Sequence, residues 1–232
     1  MRLITKLLLP MGIVALGTFS ADTASAALIT YTTTGVFSCN GIAGCTTSVS
    51  GSQAFLGGLT LTYSGQLTTN VTPSPVSAAN YGEISASGPV PTNNVTLSGI
   101  TLAISVIQTS PFSQSNGGWT GIITGNLGLA ANGSSTGFAS ICFISTACGN
   151  QIESFTYSAG SPSVTYRIQT PQNSAPPPSN GYALRAYSTG GTFESTTFQG
   201  SVVDNTIPEP ASYLLMVSGL FTVGLLGRRR NS

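Results

Sequence analysis

Leu59, Leu61 and Tyr63 alternate along the chain with Thr60, Thr62 and Ser64, and this period of two recurs along the middle of the sequence. A strand sends successive side chains to opposite faces, so such an alternation lets one face enter a core while the other meets water. Ile100, Leu102, Ile104 and Val106 alternate in the same way with Thr101, Ala103, Ser105 and Ile107, and Val164, Tyr166 and Ile168 leave Arg167 on the opposite side. Further strands are expected over residues 29–37, 119–129, 137–144, 154–157, 182–187 and 197–203. Gly, Pro, Asn and Ser separate these segments, and nothing between the two ends carries the spacing of a long amphipathic helix. The expected fold is all-β, an antiparallel β-sandwich or jelly roll, with a barrel as the nearest rival. A solenoid would repeat at a fixed period, which is absent. Residues 72–75 and 171–180, the latter containing Pro176, Pro177 and Pro178, read as exposed loops inside one domain.

Charged residues make up only 6% of the chain, far below the roughly 25% usual for soluble domains, so hydroxyls and amides must wet the surface. Disorder would also require low hydrophobicity, but 41% of the residues are apolar, and a folded domain is expected. The net charge of +1 is carried by the ends. Over residues 27–206, Arg167 and Arg185 stand against Glu83, Glu153, Glu194 and Asp204, a balance of −2. No basic patch is offered to nucleic acid.

Arg2 and Lys6 precede a mainly apolar run over residues 7–19, and Ala24-Ser25-Ala26 supplies the small-x-small pattern cut by signal peptidase. Residues 1–26 therefore read as a signal-peptide helix, with an uncleaved anchor as the alternative that Pro10 and Gly12 disfavour. Pro208-Glu209-Pro210 then precedes an apolar run over residues 211–226, followed by Arg228-Arg229-Arg230. The run is 16 residues long, just under the roughly 17–25 of a spanning helix, and reads as a weak transmembrane helix. Three arginines stop it on the cytoplasmic side and hold the domain outside.

This order of Pro-Glu-Pro, apolar helix and arginine tail over residues 207–232 closely resembles the PEP-CTERM sorting signal of Gram-negative bacteria, a tail also catalogued as an ice-binding protein C-terminal domain. The resemblance implies recognition by a membrane-embedded exosortase, cleavage near Pro208, Glu209 and Pro210, and passage from an inner-membrane-anchored precursor to the cell surface or an exopolysaccharide matrix. A plain stop-transfer helix behind a stiff linker is the rival reading. A glycolipid-anchor signal is a further rival, disfavoured because its apolar tail should not end in three arginines.

The four cysteines lie as Cys39 with Cys45 and Cys142 with Cys148. Export makes two short-loop disulfides the leading expectation, although four cysteines allow three pairings. With no histidine in the chain and long Cys spacing, no metal site and no cofactor are expected. The lack of histidine also removes the commonest general base, and the four acids of the domain show no local pairing motif, so an enzyme is not expected. Trp119 after Asn116-Gly117-Gly118 offers one glycan-stacking candidate, weighed against an indole that fills the core. The Thr-rich stretches lack the regular array that an ice-binding face would need. Residues 27–206 are thus expected to form one secreted domain with a structural or adhesive role beside exopolysaccharide or biofilm, the alternative being a carbohydrate-binding module.

Overall fold

The computed structural model describes residues 27–88, 94–128, 137–143, 152–160, 162–170, 181–185, 193 and 195–205. The expected signal peptide, the sorting tail and the proline loop at 171–180 lie outside the described residues. Within them the chain is all-β. Its strands are β1 (Ile29–Ser38), β2 (Thr46–Thr47), β3 (Gln53–Leu56), β4 (Leu59–Ser64), β5 (Thr69–Val71), β6 (Val76–Ser87) and β7 (Val95–Thr96). They continue as β8 (Thr101–Ser110), β9 (Gln114–Leu127), β10 (Phe138–Cys142), β11 (Ile152–Ser158), β12 (Ser163–Gln169), β13 (Tyr182–Arg185) and β14 (Thr196–Asp204). One antiparallel sheet is ordered β13-β10-β9-β8-β1-β5, with β7 attached to β9, and the other is ordered β11-β12-β14-β6-β4-β3-β2.

The alternating segments became strands for the reason their pattern implies. In β4, Leu59, Leu61 and Tyr63 are buried, and in β8, Leu102, Ile104 and Val106 are buried while Ala103 and Ser105 are exposed. Sequence reasoning missed β6, which lies at the centre of the second sheet. Ala78, Ala79, Asn80 and Gly82 are poor strand formers, and a bulge breaks its period. Asn80 faces Gln199 and Glu83 faces Thr197, so Tyr81 and Gly82 together oppose Phe198. Gly82 has φ 114°, and a Cβ there would lie 2.7 Å from the Ser64 carbonyl oxygen, so glycine is required. The bulge turns both Tyr81 and Ile84 inward although they are three residues apart.

Rings from the two sheets meet in the core. Tyr31 of β1 crosses Tyr166 of β12 with centroids 5.5 Å apart, and Trp119 of β9 lies 4.7 Å from Tyr81 and 4.9 Å from Phe155. The pairing also sorts the ends of the strands. Thr30 faces Ser110, Val76 faces Val203 and Ser158 faces Ser163, while residues 72–75 carry the chain from β5 in one sheet to β6 in the other. The chain therefore enters the domain at β1 and leaves it after β14 at one common end, here the terminus end. Cys39, the turn at Gly57 and Gly58, and the last residues of β6 lie at the opposite, disulfide end.

Candidate functional site

Trp119 is 5% exposed. It faces Ile104 across β8 and β9, and both side chains point into the core, while Thr120 next to it is exposed. The period of two places the indole between Tyr81 and Phe155, and its Nε1 has no hydrogen-bond partner among the described residues. The ring face considered for glycan stacking is thus not offered to a sugar at the surface. Packing claimed it, as the core-filling alternative requires.

Cys39 and Cys45 are bonded to each other, with Cα atoms 5.7 Å apart. Their loop is built from two turns, in which Ile42 N–H donates to the Cys39 carbonyl and Cys45 N–H to that of Ile42. Asn40 sits at φ 46° and donates through Nδ2 to the Gly99 carbonyl at 2.7 Å, clipping the loop to the chain ahead of β8. Cys142 is also engaged in a disulfide, and Cys148, its expected partner, lies outside the described residues. Ile122 pairs with both Thr101 and Cys142, and Thr101 pairs with Ser38, so Cys142 shares a cross-strand row with the residue before Cys39.

The described acids do not converge. Glu83 points outward from β6 beside inward Ile84, whereas Glu153 shares the inward side of edge strand β11 with Phe155 and Tyr157. Two strands separate them within the sheet. A glycosidase would need its two carboxyls within roughly 5–9.5 Å on one side of a sugar. Desolvation raises the Glu153 carboxyl above its ordinary range. Asp204 is buried at the end of β14, and Glu194 lies outside the described residues. No group of three metal-ligating side chains gathers among the described residues, and among them no helix is long and apolar enough to cross a membrane. Pro208, Glu209, Pro210, Arg228, Arg229 and Arg230 also lie outside them.

The polar chemistry of the domain is instead inside it, in tyrosine hydroxyls that sequence reasoning treated only as core. Where β8 and β9 slip register between Val106 and Gln108, Tyr157 donates to the Val106 carbonyl and accepts Gly117 N–H at 2.7 Å. At the β6 bulge, Tyr63 donates to the Tyr81 carbonyl and Tyr31 to that of Asn80, at 3.1 Å. Opposite this bulge, where β14 shifts between Thr197 and Gln199, Tyr182 accepts Gln199 N–H at 3.1 Å and donates to the Gln169 carbonyl at 2.6 Å. A bulge frees backbone groups from the ladder, and a buried one left unpaired costs about 1–3 kcal/mol.

Tyr166 completes the set by donating to Gln108 Oε1 at 2.8 Å, and Gln108 Nε2 donates to the Phe112 carbonyl at 3.0 Å. Burial pushes the phenols of Tyr31, Tyr63 and Tyr182 up to about 12, and those of Tyr81, Tyr157 and Tyr166 are raised by the same cause. Neutral and hydrogen-bonded, Tyr31, Tyr157, Tyr166 and Tyr182 act as latches between the sheets, as does Tyr63 through Thr33 Oγ1, whereas Tyr81 donates to the Ser201 carbonyl within its own sheet. Compared with known proteins, the chain matches no family model, no curated protein and no solved structure.

Proposed function

We propose that this is an exported, non-enzymatic surface protein whose β-sandwich domain is delivered by a PEP-CTERM signal. Signal peptidase removes residues 1–26, the tail holds the precursor in the inner membrane, and exosortase processing near Pro208, Glu209 and Pro210 sends the domain to the cell surface or exopolysaccharide. The single observation that carries this reading is the order of the tail in the sequence: a Pro-Glu-Pro segment, an apolar run and three arginines. Two prolines disfavour helix continuation, so the segment outside the membrane stays extended for a protease. Each arginine costs roughly 2.5–3.5 kcal/mol at a helix centre, which resists translocation. Disulfides and a weakly charged, hydroxyl-rich surface suit a structural or adhesive role outside the cell. The burial of Trp119 takes away the residue on which a discrete glycan site was considered.

The test is mass spectrometry of the protein from hosts with and without exosortase, beside a variant with Pro208, Glu209 and Pro210 all changed to Ala. Loss of the tail only where exosortase is present, and its retention in the variant, is the expected result. An intact tail on the surface protein of the exosortase-positive host, or normal processing of the variant, would replace sorting with a plain membrane anchor.

A further inference from the structure

Both chain ends leave the domain on the same side. Leu28 precedes β1, and its carbonyl accepts the Ser110 hydroxyl at 3.0 Å. Asn205 follows β14 and is tied down by its N–H to the Ser163 carbonyl at 3.0 Å and by its Nδ2 to Thr165 Oγ1 at 2.8 Å. Six peptide steps separate Asn205 from Ala211, where the apolar run starts, and an extended chain of that length spans at most about 20 Å. A domain fixed to its tail at Asn205 therefore cannot stand far from the surface that the tail enters. A signal peptide ending two residues before Leu28 would leave the domain from the same side.

The side chains at this end suit such a surface. Its exposed residues include Leu28 and Val76, each 51% exposed, with Pro75 and Pro111 beside them. Ser74, Ser113, Ser158, Ala159 and Gly160 complete the loop tips. Among the described residues of this end Asp204 is the one side chain charged at neutral pH, and it is 2% exposed. Two half-exposed aliphatic side chains rimmed by hydroxyls, with no exposed charged side chain to desolvate, can settle into the headgroup region of a bilayer.

We infer that the terminus end of the sandwich is a lipid-facing surface, which the anchored precursor lays against the membrane, turning the disulfide end outward. The inference rests on the sorting reading, because the tail must enter a bilayer for the domain to be held there. It assigns the lipid contact to the loops at 72–76 and 111–113, to residues 158–160 at the end of β11, and to Leu28.

The experiment uses the full chain from an exosortase-negative host, reconstituted into vesicles of phosphatidylethanolamine and phosphatidylglycerol that carry an acceptor lipid. A donor dye is placed through Ser113→Cys or Ala159→Cys at the terminus end, or Ser87→Cys at the disulfide end, with the native disulfides kept oxidised. The 12 residues of β6 span about 40 Å between these ends, so quenching at Ser113 and Ala159 should exceed that at Ser87 by at least about twofold. Equal or reversed quenching in vesicle-bound protein overturns this inference and leaves the sorting reading standing. Failure of the chain to float with the vesicles overturns the anchor itself. In Leu28→Ser with Val76→Ser the contrast should narrow, and an unchanged contrast would overturn the apolar contact.

Discussion

The two ends of the β domain are tied by different chemistry. At the disulfide end, Cys39 and Cys45 close a small loop covalently, and Cys142 is disulfide-bonded in the row that contains Ser38. Toward the terminus end, Tyr157 reaches Val106 and Gly117, Tyr166 reaches Gln108, and Gln108 reaches Phe112 in the loop after β8. Covalent closure restrains the unfolded chain, whereas a buried phenol supports the folded state and works only while it keeps its proton. Reductant should therefore address the disulfide end, and alkali the phenols along the whole core, including Tyr182, which pairs with Ile141 beside Cys142.

Alkali is the largest expected effect. In the unfolded chain a tyrosine ionises near 10.0, whereas Tyr31, Tyr63 and Tyr182 hold their protons to about 12 when folded. Between these values the unfolded state binds fewer protons, so stability is fully present below pH 10 and falls as the pH rises toward 12. At about 1.4 kcal/mol per unit, each of the three is worth about 3 kcal/mol, and together they rival the whole stability of a typical domain. Phenolate absorbance and circular dichroism should change together in one cooperative step above pH 10. Gradual ionisation near pH 10 with the sheets intact would show that the phenols are not latches.

A single latch comes next in size. Tyr166→Phe removes the donor to Gln108 Oε1 and leaves that oxygen buried, which should cost about 1–3 kcal/mol in denaturant unfolding. Gln108→Met in the same chain takes away the stranded oxygen, so the double variant should lose less than the two single losses added. Strict additivity would mean that the two side chains do not act as one bridge.

These contrasts also mark what the residues alone could tell. The alternation in β4, β8 and β12 was legible because each strand buries one face and keeps its period. β6 was not legible, since its bulge puts two residues against one, and alanine, asparagine and glycine hide a central strand behind weak propensity. The local disulfide at Cys39 was legible from proximity. The latches were not: the carbonyl that a phenol meets depends on pairings such as Tyr157 with Val106, 51 residues apart. The core position of Trp119, weighed against a surface face in the sequence, follows from two bulky rings of the facing sheet that define the pocket the indole fills.

The smallest effect is expected where the bond is strongest. Changing both Cys39 and Cys45 to Ser removes a cross-link that closes a sequence separation of only 6, for which chain entropy gives about 2 kcal/mol. Native contacts that survive the change hold the loop in part. Asn40 still donates to Gly99 and Thr101, and the Ile42 N–H and Cys45 backbone turns need no sulfur. Ile42 also keeps its packing beside Gly99, where an added Cβ would lie 3.3 Å from the Ile42 Cδ1. The double serine variant should therefore unfold with a loss of at most about 2 kcal/mol. Its faster amide exchange should be confined to residues 39–45 and the start of β8, since a local opening exchanges only the amides it frees. Faster exchange at Gly117 and Gln199, whose amides are held by Tyr157 and Tyr182, would show that the disulfide end and the latches form one cooperative unit.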